Sequence, residues 1–165
     1  MISNILFVCI GNICRSPIAE GLFRHALPAK EVCSAGLDAM IGEPADPMSI
    51  RLMQEHGIDI SLHRARNLAT WMVNEADLIV TMDRSQKHFI ERLHANAKGK
   101  VMRLGEAGNY DVPDPYRQGL AAFRHAYRLI ACGVDQLAQR IVESSDGKSQ
   151  HAPKALRELP SSFRM

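Results

Sequence analysis

Four short apolar runs alternate along the chain with segments whose apolar residues recur every three or four positions, and this alternation predicts strands and helices in turn. Asn4 to Val8 (N-I-L-F-V) reads as a buried strand halted by Gly11 and Asn12. A helix follows. Ile18, Leu22, Phe23 and Ala26 share a face, Ser16 and Pro17 stand where an N-cap and a first helical residue belong, and Pro28 ends the pattern. Glu31 to Ser34 is a second strand. Gly36 to Pro47, broken by Gly42 and Pro44, reads as a long loop, and Pro47 to His56 as a helix closed by Gly57. Asp77 to Met82 is a third strand, Arg84 to about Ala95 a helix, and Val101 to Leu104 a fourth strand. From Leu120, the residues Phe123, Tyr127, Ile130, Val134, Leu137 and Ile141 keep alternating steps of three and four, the stripe of a long core helix rather than of a coiled-coil seam. The tail Ser144 to Met165 has little periodicity and reads as a C-terminal extension of the kind that is often mobile.

Strands alternating with helices imply a single α/β domain built on a parallel sheet, with ligands bound beyond the carboxyl ends of its strands. Composition narrows this little. A chain of 165 residues is one ordinary domain, and 46% hydrophobic and 23% charged residues are those of a soluble globular protein. A formal charge of +2 gives no reason to expect nucleic acid as a partner. The first apolar run, Ile5 to Ile10, is too short for a secretory signal or a membrane span, so a cytoplasmic protein without membrane insertion is expected. The four cysteines, Cys9, Cys14, Cys33 and Cys132, form no C-x-x-C pair and read as thiols. Cys33 and Cys132 are expected to be packing residues.

The chemistry lies in V-C-I-G-N-I-C-R-S-P, Val8 to Pro17. Cys9 and Arg15 form a C-x5-R pattern that is weak alone, but here the cysteine ends a strand and the arginine meets a helix start. Gly11 and Asn12 between them tolerate positive φ. Inward-turned amides of Ile10, Gly11, Asn12, Ile13 and Cys14, with the donors of a helix N-terminus, would cradle a tetrahedral oxyanion. Arg15 can grip two of its oxygens, and the same positive surroundings favour the Cys9 thiolate. The plain alternative makes Cys9 a buried hydrophobe and Gly11-Asn12 a mere turn. No G-x-x-x-x-G-K-[ST] and no G-x-G-x-x-G is present to suggest a nucleotide site. Cleaving a phosphate ester also needs a proton donor, and Asp114 in V-P-D-P-Y is the candidate, stiffened by flanking prolines. On residues alone it could equally be a turn former, and Asp111 is its rival.

The loop resembles the phosphate-binding loop of the low-molecular-weight protein-tyrosine phosphatases. S-A-G at residues 34–36, A-D-P at 45–47, E-H-G-I at 55–58, H-R-A-R at 63–66, T-M-D at 81–83 and D-V-P-D-P-Y-R at 111–117 follow in that family's order, so the resemblance spans about residues 3 to 143. The wording is most similar to bacterial members paired with tyrosine autokinases of capsule and exopolysaccharide export. The resemblance implies a phosphatase domain over residues 1–143, with a four-stranded parallel sheet flanked by helices on both faces and the phosphate-binding loop after strand 1. It implies Cys9 as nucleophile, Arg15 as phosphate ligand, Asp114 as general acid and later base, and no metal or cofactor. Asn12, Ser16 and His63 would support the loop, and Ile10, Met40 or Ile41, and Tyr116 would wall an apolar pocket deep enough to favour phosphotyrosine over phosphoserine. The expected partner is a phosphotyrosine protein, a bacterial tyrosine autokinase in particular, and the expected state a monomer or weak dimer. Eukaryotic members carry a tryptophan near Met40 and a second tyrosine at Arg117, so peptide preference and regulation by tyrosine phosphorylation should differ here. Cys14, in the same loop as Cys9, is placed for a reversible protective disulfide. An arsenate reductase is the nearest rival, but no cysteine lies between Cys33 and Cys132 to relay electrons. A phosphate reader without turnover is the other, and the presence of both Cys9 and Asp114 speaks against it.

Overall fold

A computed structural model describes residues 1–147. Its order is β1 (Asn4–Cys9), α1 (Arg15–Ala26), β2 (Glu31–Gly36), α2 (Pro47–Glu55), α3 (Thr70–Glu75), β3 (Leu78–Thr81), α4 (Arg84–Leu93), β4 (Val101–Arg103) and α5 (Leu120–Ser145). The strands form one parallel sheet in the order β2-β1-β3-β4. The expected four-stranded α/β architecture is the one observed.

The period of two in a strand explains how the sheet is covered. Ile5, Phe7 and Cys9 of β1 face one core, shared with Ile18 and Phe23 of α1 and Ile130, Val134 and Leu137 of α5. Leu6 and Val8 face a second core with Met72 and Val73 of α3 and Ile90 of α4. A central strand buried on both faces must read as a continuous apolar run, as N-I-L-F-V-C does. Phe7 meets Phe23 edge to face with ring centroids 5.7 Å apart, which fixes α1 against β1. Of the predicted stripe on α5, Phe123, Ile130, Val134, Leu137 and Ile141 are buried, while Tyr127 is half-buried and stacks on His56 at 4.5 Å.

Several expectations need correction. Helix α1 starts at Arg15 with Cys14 at the N-cap position, so Ser16 lies inside the helix and its hydroxyl is used elsewhere. Helix α4 stops at Leu93, and Ala95–Ala97 form a separate 3-10 turn. The short α3 was not legible, because six residues without a side-chain cap offer too little periodicity to recognise. Cys132 is exposed and Cys33 only partly buried, so Cys132 is no packing residue. Helix α5 runs through Ser145, and residues 148–165 of the expected extension lie outside the described residues. Among the described residues no helix is long and apolar enough to cross a membrane.

Because all strands are parallel, Cys9, Gly36, Thr81 and Arg103 end at the same sheet edge, and the segments leaving them converge there. Gly36 is required at that edge: a Cβ on it would stand 2.3 Å from the carbonyl oxygen of Ile10. Gly36→Ala is therefore expected to lower Tm by about 2–12 °C, the range for an overpacking cost of about 1–3 kcal/mol in a domain this size. A thermal melt followed by circular dichroism checks it, and an unchanged Tm would refute the close approach.

Candidate active site

Residues 10–14 cross from the end of β1 to the start of α1, and the loop is shaped by what its carbonyls bond. Six successive carbonyl oxygens are taken by donors outside the loop. Cys9 O accepts from Leu37 N at 3.0 Å, Ile10 O from Asp38 N at 3.0 Å, Gly11 O from Met40 N at 3.0 Å, and Ile13 O from Asp46 N at 2.8 Å. Asn12 O accepts from His63 Nε2 at 2.7 Å, and Cys14 O from Ser49 Oγ at 3.2 Å. With every carbonyl drawn outward, the amides of residues 10–14 have no acceptor among the described residues. Five unpaired donors thus stand beside the N-terminus of α1, a combination that suits an oxyanion.

Asn12 is the hub of this loop. It is fully buried with φ +56°, in the left-handed region that asparagine tolerates better than most residues. Its Nδ2 donates to Ser16 Oγ at 2.8 Å and Ser34 Oγ at 3.0 Å, and its Oδ1 accepts from Arg66 N at 3.0 Å. Since the Asn12 carbonyl can only accept, His63 Nε2 carries the proton. Ser34 Oγ in turn donates a hydrogen bond to the Glu20 carboxylate, which Arg24 also holds at 2.6 Å. The Ser16 oxygen already accepts from Asn12, so its hydroxyl proton is free to point at Cys9 Sγ, 2.9 Å away.

Arg15 is almost completely buried. Its Nη1 donates to Val112 O at 3.0 Å and lies 3.6 Å from Asp83 Oδ2, and its Nη2 lies 3.7 Å from Asp114 Oδ2. Asp83 spends its other oxygen capping α4 through Gln86 N and Ser85 Oγ, both at 2.8 Å. Asp114 is half exposed, and its Oδ1 accepts from Tyr116 N at 3.1 Å. Asp111 is differently placed: hydrogen bonds from Arg103 and the Arg84 amide hold its carboxyl below the usual carboxylate range. Burial pushes the Cys14 thiol up, aided by the negative charge of Asp46, the neighbouring Cys9 and Asp114, so Cys14 stays protonated.

The remaining expected residues surround this centre less evenly. Ile10 and Met40 are each 40% exposed, and Met40 lies over Gly11. Ile41 is 68% exposed. Tyr116 packs against the cluster of Ile13, Cys14 and Phe123, with the Arg117 guanidinium 5.1 Å from its ring centroid. Glu20, Ser34, Arg66, Asp83 and the Val112 carbonyl escaped sequence reading. Ser34 and Asp83 sit in the S-A-G and T-M-D motifs, where polarity among apolar neighbours was a usable signal. Glu20, one helical turn beyond Ser16, and the main-chain groups of Arg66 and Val112 offered none.

The model of the family described as low molecular weight phosphotyrosine protein phosphatase matches residues 4–147. The chain is 51% identical over 141 residues to a probable low molecular weight protein-tyrosine-phosphatase EpsP of Ralstonia solanacearum, covering 86% of this chain and 97% of the relative. It is 42% identical over 145 residues to the low molecular weight protein-tyrosine-phosphatase Wzb of Escherichia coli K12, covering 86% and 97%. The structure of Vibrio vulnificus Wzb in complex with benzylphosphonate superposes with a TM-score of 0.82 at 39% identity, covering 85% of this chain and 99% of that one. With its unpaired loop amides between Cys9 and Arg15 and these matches over nearly the whole described chain, this protein belongs to the low molecular weight phosphotyrosine protein phosphatase family.

Proposed function

We propose that the protein hydrolyses phosphotyrosine in proteins through a phosphocysteine intermediate, with Cys9, Arg15 and Asp114 as the reacting and binding groups. The observation that carries this reading is the placement of Arg15, whose guanidinium lies between the loop that holds Cys9 and the carboxylate of Asp114. Cys9 Sγ attacks phosphorus in line as the bond to the tyrosyl oxygen breaks. Asp114 gives its proton to that oxygen. The loop amides and Arg15 hold the equatorial oxygens while charge builds on them. In the second step water attacks phosphorus, Asp114 takes a proton from it, and the sulfur leaves as a thiolate that the Ser16 hydroxyl stabilises.

A benzyl group carrying a phosphonate is bound by the Vibrio vulnificus relative, and it resembles the side chain of phosphotyrosine. That likeness supports an aryl phosphate as substrate, with Ile10, Met40 and Tyr116 as its apolar surroundings. By the same resemblance the substrate is a tyrosine autokinase of exopolysaccharide or capsule export, and the enzyme works in the cytoplasm as a monomer or weak dimer without a metal or cofactor.

Cys9→Ser is expected to abolish release of phosphate from a phosphotyrosine peptide. Asp114→Asn should lower kcat by about 10²–10⁴. Chelator should leave the wild-type rate unchanged, and a phosphoserine peptide should be inert. Comparable turnover after Cys9→Ser would reject the mechanism. Asp114→Ala used as bait in a lysate of the source bacterium is expected to retain a tyrosine-phosphorylated autokinase, and retention of no phosphotyrosine protein would reject that partner.

The two thiols of the loop carry a separate expectation. Peroxide oxidises Cys9 to a sulfenic acid, and the Cys14 thiol condenses with it to a disulfide with loss of water. Cys14→Ser should then reduce the activity that dithiothreitol recovers after peroxide. Recovery equal to wild type would exclude the disulfide.

A further inference from the structure

The acid candidate hangs on a long connection, and one buried arginine that the proposed chemistry does not use holds its root. Residues 104–119 lead from the edge strand β4 to α5 without a helix or strand of their own, and a segment of that length keeps one shape only if it is tied down. Arg103, the last residue of β4, supplies the tie. Its side chain is 4% exposed, and its Nη1 donates to Asp111 Oδ1 at 2.9 Å while its Nη2 donates to Asn109 Oδ1 at 3.0 Å. Asn109 stands at φ +51°, where the chain turns back on itself. The turn is tight: a Cβ on Gly105 would lie 2.2 Å from the Tyr110 carbonyl oxygen, and Tyr110 OH reaches Leu129 O at 2.9 Å. Arg84 closes the same knot from α4, its amide donating to Asp111 at 3.1 Å and its guanidinium to Asn109 at 3.2 Å.

One residue further on, Val112 N donates to Met82 O at 2.9 Å and Val112 O receives Arg15 at 3.0 Å. Beyond Val112 the hydrogen bonds recorded for residues 113–118 are local, from Tyr116 N to Asp114 and from Gln118 N to Pro115 O. Residues 109–112 therefore set how the segment leaves the sheet, and Arg15 at Asp114 and the packing of Tyr116 hold it further on.

We propose that Arg103 is a positioning residue for the general acid: its buried fork grips Asn109 and Asp111, orients the Val112 carbonyl, and thereby aims Asp114 across the Cys9 loop. This inference rests on the reading of Asp114 as the acid. A misaimed acid hurts a substrate in proportion to how much its leaving oxygen needs a proton. The ratio of kcat/KM for phenyl phosphate to that for p-nitrophenyl phosphate, whose leaving group departs readily as an anion, reads this directly.

Arg103→Met is expected to lower kcat/KM for phenyl phosphate about 10- to 100-fold, the scale of a small misplacement of a catalytic group, and that for p-nitrophenyl phosphate several times less. In an Asp114→Asn background the same substitution should cost no further activity, because there is no acid left to aim. The double variant Asn109→Gly with Asp111→Asn, which keeps the positive φ at 109 and an acceptor for the buried guanidinium while loosening its grip, should show the same pattern to a smaller extent and decides the matter if Arg103→Met does not fold. Equal losses on both substrates, or losses that add to those of Asp114→Asn, would overturn the brace. Should Asp114→Asn itself lack the leaving-group dependence, the acid assignment fails. Should it show that dependence while Arg103→Met and the double variant do not, the brace alone fails.

Discussion

A single buried asparagine in a left-handed conformation is the constraint on which this site depends. Holding an L-residue at positive φ costs about 1–2 kcal/mol, less for asparagine than for others. Asn12 meets that cost with four hydrogen bonds, two from its amide nitrogen, one to its side-chain oxygen and one to its carbonyl, each worth about 0.5–1.5 kcal/mol net. The balance favours the turned loop, and the turn is what sends the carbonyls outward and leaves the amides without acceptors. One of the same bonds engages the Ser16 oxygen, so the residue that shapes the loop also orients the hydroxyl beside Cys9.

Arg15 is the second node, and it joins parts of the chain that are far apart in sequence. A guanidinium this deeply buried needs acceptors, since an unpaired buried charge costs several kcal/mol. Val112 O, Asp83 and Asp114 meet that need from two different segments. The arginine therefore ties the segment that carries Val112 and Asp114 to the start of α1 beside the loop of residues 10–14. Asp83 does this while capping α4, which fixes the start of that helix to the same centre.

The two cysteines of the loop show how five residues of separation can divide roles. Cys9 ends a strand with its sulfur against a hydroxyl, whereas Cys14 lies under the helix start, where burial and negative neighbours keep it a thiol. The two aspartates of D-V-P-D divide likewise. Asp111 is locked by Arg103 and Arg84, while Asp114 stays half exposed and faces Arg15. Identity of residue type did not separate either pair; surroundings did.

The apolar run of β1, the stripe of α5 and the glycine-asparagine turn before Arg15 were legible in the amino-acid order, because each rests on periodicity or on local backbone preference acting within a few residues. Cys9 and Arg15 stood out for the same reason, since they flank one loop of five residues. The start of α1, the six-residue α3, the partners Glu20, Ser34 and Asp83, and the different surroundings of Asp111 and Asp114 were decided only by the tertiary structure. Those features depend on contacts across tens of residues, often through main-chain groups that every residue possesses, so nothing in the side-chain order marks them until the parallel sheet brings its carboxyl ends to one edge.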